Sequence, residues 1–103
     1  MSSVPRSVQE FLSSRRIAVA GVSRDPHQAA NHIYKKLRTT EAHVVPINPR
    51  AERVEGDACY PDLASVPDGV DAVFLATPPE SARGIVEECV RLGIRRVWMR
   101  SFL

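Results

Sequence analysis

Apolar residues in this chain fall into short continuous runs, separated by stretches in which they recur every three or four positions. Ile17-Ala18-Val19-Ala20-Gly21-Val22 is apolar on both faces of an extended chain and closes on a glycine. That is the pattern of a buried strand running into a turn. Asp25 and Pro26 then predict a helix start, with Asp25 as N-cap, Pro26 at the first helical position and Gln28 at capping-box spacing. Ala29, Ala30, Ile33, Tyr34 and Leu37 make one apolar stripe. Lys35, Lys36 and Arg38 lie off it or near its C-terminal end, where positive charge suits the helix dipole. Val44-Val45-Pro46-Ile47 reads as a second strand, and Pro46 assigns it to a sheet edge or a strand end. Residues 51–69 carry the turn signals Gly56-Asp57, Pro61-Asp62 and Pro67-Asp68-Gly69 and are expected to be irregular. Ala72-Val73-Phe74-Leu75-Ala76 is a third buried strand. Thr77-Pro78-Pro79-Glu80 opens a second helix, with Thr77 and Glu80 as a capping box and Pro78 at the first helical position. Ala82, Ile85, Val86, Cys89 and Val90 share one face of it, Gly93 suits a left-handed C-cap followed by Ile94, and Val97-Trp98-Met99 is a fourth strand. A short leading helix is expected over Val8 to Leu12, with Phe11 and Leu12 as its contacts.

Strand and helix alternate, so the fold class is α/β: a parallel sheet with helices on both faces, strand order 2-1-3-4, in one domain spanning 1–103. In such a sheet a ligand binds beyond the carboxyl ends of the strands, where the order reverses between strands 1 and 3. Three segments converge there: Gly21-Val22-Ser23-Arg24, Asn48-Pro49-Arg50 and Thr77-Pro78-Pro79.

Composition narrows the classes. The 103 residues are 44% hydrophobic and 25% charged, with both signs mixed, which fits one ordinary globular domain and excludes an eight-fold barrel, a two-domain enzyme and a disordered chain. No apolar run approaches the roughly 18 residues of a membrane span. The N-terminus lacks the basic-then-apolar order of a signal peptide, so a cytoplasmic location is the expectation. Fourteen basic residues against twelve acidic ones leave +2, too weak a balance to argue for nucleic acid. Cys59 and Cys89 form neither a disulfide framework nor a CxxC pair, and His27, His32 and His43 are too scattered to complete a metal site.

The three segments carry the candidate chemistry. Gly21 allows a sharp turn and a close backbone approach, after which the amides of Val22, Ser23 and Arg24 and the Arg24 guanidinium can face an anion. This is not the dinucleotide fingerprint, because Ser23 and Pro26 stand where its second and third glycines would be. After strand 2 a dinucleotide site wants a carboxylate for the ribose diol, whereas this chain offers Asn48-Pro49-Arg50. An arginine there suits a phosphorylated ribose, as in NADP or coenzyme A, and a solvated arginine after a rigid turn is the plainer alternative. Pro78 and Pro79 lack N–H groups, so the second helix start is a poor phosphate cradle and a flat apolar rim for an adenine or ribose; simple capping explains it equally well. Catalytic constellations are thin. Ser23 has no histidine placed as its base, and Glu87-Glu88 reads as a solvated helix face. Cys59 is a loop thiol near the crevice, Cys89 is core, and Trp98 reads as packing or as a pocket wall.

Ile17 to Pro26, Pro46-Ile47-Asn48-Pro49, Val54 to Leu63 and Val97-Trp98-Met99 together resemble the small CoA-binding proteins, which are similar to the nucleotide-binding half of the succinyl-CoA ligase alpha subunit. The resemblance runs from about Val8 to Trp98 and rests on the combination of G-x-S, I-N-P and G-x-x-C-Y-P-x-L. It implies a Rossmann-like three-layer domain that binds coenzyme A or an acyl-CoA through its nucleotide end. On that model Gly21, Val22, Ser23 and Arg24 hold phosphates, Asn48, Pro49 and Arg50 lie near the ribose phosphate or adenine with Tyr60 nearby, and Thr77, Pro78 and Pro79 line the adenine–ribose side. The ligase's phosphohistidine segment belongs to another domain, so the implied role is non-catalytic, as a sensor or carrier. An NADP-dependent oxidoreductase fragment and a ligand-free interaction module are the alternatives. Many members carry a Lys-Pro pair early in the first helix, where this chain has Gln28-Ala29. They also continue past the Trp into another helix and strand, where this chain ends at Arg100-Ser101-Phe102-Leu103. The sheet is then expected to finish on strand 4, with Trp98 and Phe102 near an open edge and self-association through it.

Overall fold

The computed structural model describes residues 15–99; the expected helix over Val8 to Leu12 and Phe102 lie outside them. A four-stranded parallel sheet is built from β1 (Arg16–Ala20), β2 (His43–Ile47), β5 (Ala72–Leu75) and β6 (Arg96–Met99) in the order β2-β1-β5-β6. In chain order that is 2-1-3-4, as the alternation predicts. β3 (Arg53–Val54) and β4 (Asp57–Ala58) form a separate antiparallel hairpin.

Alternation along β1 sorts the core into two layers. Val19 faces helix α1 (Ala29–Arg38) and packs with Val22, Tyr34, Val44 and Val54. Ala18 and Ala20 face the other way and pack with Val45, Ile47, Val73 and Leu75 beneath Ala82 and Cys89 of helix α2 (Pro79–Leu92). One helix on each face gives the three-layer α/β arrangement. Pro46 lies in the edge strand. Its carbonyl accepts from the Tyr60 N–H (3.1 Å) on the outer side, so the position of its missing N–H also faces outward and no bond to β1 is lost. Gly93 takes the left-handed conformation (φ +75°) and the Ile94 N–H donates to the Cys89 carbonyl (2.9 Å), closing α2 as expected. All four residues of β6 are exposed, Trp98 at 38%. No helix among the described residues is long and apolar enough to cross a membrane.

Three local expectations are corrected. Asp25 does not cap α1. Its carboxylate accepts from the His27 N–H (3.0 Å) and the Gln28 amide (3.4 Å), holding a turn, and the helix begins only at Ala29 with Gln28 as N-cap. Thr77 and Glu80 do not form a capping box. Pro78 is the N-cap of α2 with no side-chain cap bond, and Pro79 takes the first helical position. Residues 51–69 are not wholly irregular, because β3 and β4 pair across Glu55-Gly56, both at positive φ (51° and 81°). Strands two residues long carry no periodicity to read.

The hairpin is tied to α1. Asp57 accepts from the Tyr34 hydroxyl and from Arg38 Nη1 (2.7 Å), and the Arg38 guanidinium lies 5.4 Å from the Tyr34 ring centre. These bonds favour the carboxylate, that from Tyr34 most, and hold Asp57 below its ordinary range. A depressed folded value means stabilisation that is present above the carboxylate range and lost as pH falls through and below it. Melting temperatures of the wild type and Asp57→Asn, compared from neutral pH to about pH 3, should differ at neutrality and converge in acid. Parallel curves would remove Asp57 from the account.

Candidate functional site at the carboxyl ends of the strands

Gly21 ends β1 at φ +106°, a conformation that side chains exclude. A Cβ there would lie 2.9 Å from the Ala76 carbonyl oxygen and 3.3 Å from Thr77 Cγ2. The close approach that this glycine permits is therefore to the chain leaving β5, not to a ligand. It lets the exits of β1 and β5 meet, with the Gly21 N–H donating to the Ile47 carbonyl (3.3 Å) of β2.

Asn48 joins two of the converging segments. Its Nδ2 donates to the Val22 carbonyl (2.9 Å), its Oδ1 accepts from the Arg50 N–H (2.8 Å), and its own N–H donates to the Tyr60 carbonyl (2.9 Å). Asn48 thus sets the turn that projects Arg50. Ser23 is held from within the protein. Its N–H donates to Asn31 Oδ1 (2.9 Å), its carbonyl accepts from Asn31 Nδ2 (2.7 Å), and its hydroxyl accepts from the Asp25 N–H (3.1 Å). The Ser23 amide is consequently not a donor for a ligand. Arg24 is exposed and has no hydrogen-bond or ion-pair partner among the described residues.

A cavity of 660 Å³ opens at this end of the sheet. Gly21, Asn48, Pro49, Arg50 and Thr77 border it. Val22, Ser23, Arg24, Tyr60 and Pro78 do not, and of Pro79 only the backbone is described. Tyr60 extends the outer edge of β2 through its backbone, and its side chain packs against the core. The missed wall is a stripe along α2: Ser81, Gly84, Ile85, Glu88 and Arg91, spaced at helical intervals on one face. The one trace of it in the sequence is Gly84, a glycine inside the helix, where a side chain would point into open space.

The cavity's charges are unevenly committed. Glu88 is no solvated bystander, since its carboxylate accepts from the Leu63 and Ala64 N–H groups (3.1 and 3.2 Å). Asp62 accepts from the Ser65 N–H (2.9 Å) and hydroxyl (2.5 Å). Arg50 and Arg91 have no side-chain partner among the described residues. The carboxylates are thus charged but hydrogen-bonded within the protein, while the two guanidiniums at the cavity keep their donors free for an anionic group. Thr77 Oγ1 is buried without a partner among the described residues, at the wall of the same cavity. An orphaned hydroxyl beside free guanidiniums fits a polar, phosphorylated ligand. The Cys59 thiol is buried, and burial raises it above its ordinary value, so it stays protonated near neutrality. Burial has the same effect on Cys89.

Comparison with known proteins decides which family this architecture represents. The family model described as a CoA binding domain matches residues 15–101. The chain belongs to the CoA binding domain family. It is 31% identical over 88 residues to the ADP-forming acetate–CoA ligase II subunit alpha of Pyrococcus furiosus, covering 84% of this chain and 19% of that one. The dinucleotide-forming acetyl-coenzyme A synthetase 1 of Ca. Korarchaeum cryptofilum, solved with phosphate and ADP, superposes with a TM-score of 0.75 at 33% identity. That match covers 81% of this CoA binding domain and 18% of the synthetase chain. A hypothetical protein from Pyrococcus horikoshii OT3 superposes with a TM-score of 0.79 at 30% identity, covering 95% of this chain and 74% of that one. This CoA binding domain spans between 12% and 21% of the length of the acetate–CoA ligase chains it matches.

Proposed function

We propose that the crevice binds coenzyme A, or an acyl-CoA, through its nucleotide end. The observation that carries the reading is the pairing of two uncommitted guanidiniums, Arg50 and Arg91, with the orphaned Thr77 hydroxyl around one cavity at the switch point of the sheet. Arg50 replaces the carboxylate that would hold an unphosphorylated ribose diol, and Asn48 fixes the turn from which it projects. Arg24, exposed beyond Gly21, supplies positive charge on the adjoining rim. Family membership supports the choice of coenzyme A among phosphorylated nucleotides.

The role we read from the site is binding, as a sensor or carrier, rather than catalysis by this domain. The cavity's carboxylates are held by backbone N–H groups, and the nearby Cys59 thiol is kept protonated. Native mass spectrometry of the purified protein, titrated with CoA, acetyl-CoA and NADPH, tests the reading. One-to-one adducts with CoA and acetyl-CoA at similar occupancy are expected, because recognition lies at the shared nucleotide end. Binding of NADPH alone would replace this reading with an oxidoreductase fragment, and no adduct with any of the three would overturn it.

A further inference from the structure

Asn31 and Glu55 stand outside the cavity, yet both act on the loop that leads from it. Among the described residues the buried polar side chain is Asn31, 1% exposed. It lies in the first turn of α1 on the face that carries Tyr34 three residues on. An asparagine on a core-facing stripe is costly unless its amide is satisfied. Here three hydrogen bonds satisfy it. Two clamp the Ser23 peptide units from both sides, and the third runs from Nδ2 to Glu55 Oε2 (2.9 Å).

Glu55 is the odd partner. It occupies the first turn position of the β3–β4 hairpin at φ +51°. Asparagine or glycine takes that conformation with less strain, and Asn-Gly is a favoured pair for a two-residue hairpin turn. The chain keeps Glu before Gly56 instead, and its side chain reaches Asn31, with Lys35 Nζ at 3.8 Å on the same carboxylate oxygen. Backbone strain retained where a side chain reaches the partner of the loop that carries Arg24 is grounds for a functional hypothesis.

We infer that Glu55, acting through Asn31, is a positioning residue that fixes the Ser23 peptide and so holds Arg24 on the rim beside the cavity, at the expense of hairpin stability. The inference rests on the proposed binding of coenzyme A for its affinity readout, and has a second readout independent of ligand.

Three variants separate positioning from simple structure. Glu55→Asn relieves the turn and is too short to reach Asn31, so its melting temperature should equal or exceed the wild type while CoA affinity falls about five- to tenfold. Glu55→Gln keeps an oxygen acceptor for Asn31 and loses only the charge toward Lys35, so it should retain wild-type affinity. Asn31→Asp puts a carboxylate oxygen against both Glu55 and the Ser23 carbonyl and should lose affinity, and Glu55→Gln should not restore it, because the Ser23 carbonyl still lacks its donor. Amide hydrogen exchange at Ser23 without ligand should accelerate in Glu55→Asn and stay at the wild-type rate in Glu55→Gln. Unchanged Ser23 exchange in Glu55→Asn overturns the inference whether or not CoA binds. So does unchanged CoA affinity in a protein whose wild type binds it. A wild type that binds no CoA, with Ser23 exchange accelerated as expected, sinks the proposed ligand and leaves the holding role supported.

Discussion

Gly21→Ala should lower the melting temperature by well over 10 °C, the largest stability loss of any glycine substitution in the described chain. Two effects add. The backbone stands at φ +106°, where a side chain costs on the order of 1–3 kcal/mol. The new Cβ would also lie 2.9 Å from the Ala76 carbonyl oxygen, a backbone atom without rotamer freedom. Neither strand end can retreat easily. β1 is paired on both sides, to β2 and β5, and the Ala76 N–H itself donates to the Ala20 carbonyl (3.0 Å). A combined loss of about 3 kcal/mol corresponds to roughly 12–24 °C for a domain near this size. Gly69→Ala is the control. It shares a positive φ (+71°) but meets nothing within 4 Å, so it isolates strain from collision and should cost about 1 kcal/mol. Thermal denaturation of the two variants decides the matter. Equal melting temperatures would mean that the exits of β1 and β5 have slack that their ladder does not show.

Legibility in the sequence followed the length of the signal. Both helices rest on a helical apolar stripe and all four strands of the main sheet on continuous apolar runs of three or more residues, and each is legible in the sequence. Pro46 even announced its strand as an edge, because a missing donor has only one inexpensive side on which to lie. The β3–β4 hairpin was invisible, since each strand is two residues long and its first turn residue is a strained glutamate rather than a conventional turn former. The helix starts differ from their sequence signals for a related reason. Asp25 and Thr77 have the capping chemistry, but Asp25 holds a local turn, and Pro78 becomes the N-cap of α2.

The site divided along the same line. Gly21, Asn48, Pro49, Arg50 and Thr77 follow strand ends directly, so topology alone brings them to one cavity. Val22, Ser23 and Arg24 adjoin them in the sequence, yet they do not border the cavity, and Ser23 is pinned by Asn31. The α2 wall depends on how that helix lies over the sheet, which no residue spacing encodes. Asn31 and Glu55 are 24 residues apart, and their contact follows from the hairpin that the sequence concealed.

Arg50→Ala is the substitution with the largest expected effect on binding. The wild type should bind CoA more tightly than dephospho-CoA, because the ligands differ only in the 3′-phosphate that an arginine after strand 2 is placed to meet. Removing a charge-assisted contact of this kind costs about 1–3 kcal/mol, which is roughly five- to 150-fold in affinity. The variant should lose that margin for CoA and bind dephospho-CoA as the wild type does. Stability should hardly change, since the Arg50 side chain has no partner among the described residues, and the bond to Asn48 Oδ1 comes from the backbone N–H, which alanine retains. Arg50→Lys keeps a point charge without the two-pronged geometry and should fall between the two. Calorimetric titration of the three proteins with both ligands gives the comparison directly. Equal wild-type affinity for CoA and dephospho-CoA would detach Arg50 from the 3′-phosphate. A parallel loss for both ligands in Arg50→Ala would move its contact to the diphosphate they share, leaving the cavity as the nucleotide site with a different orientation of the ligand inside it.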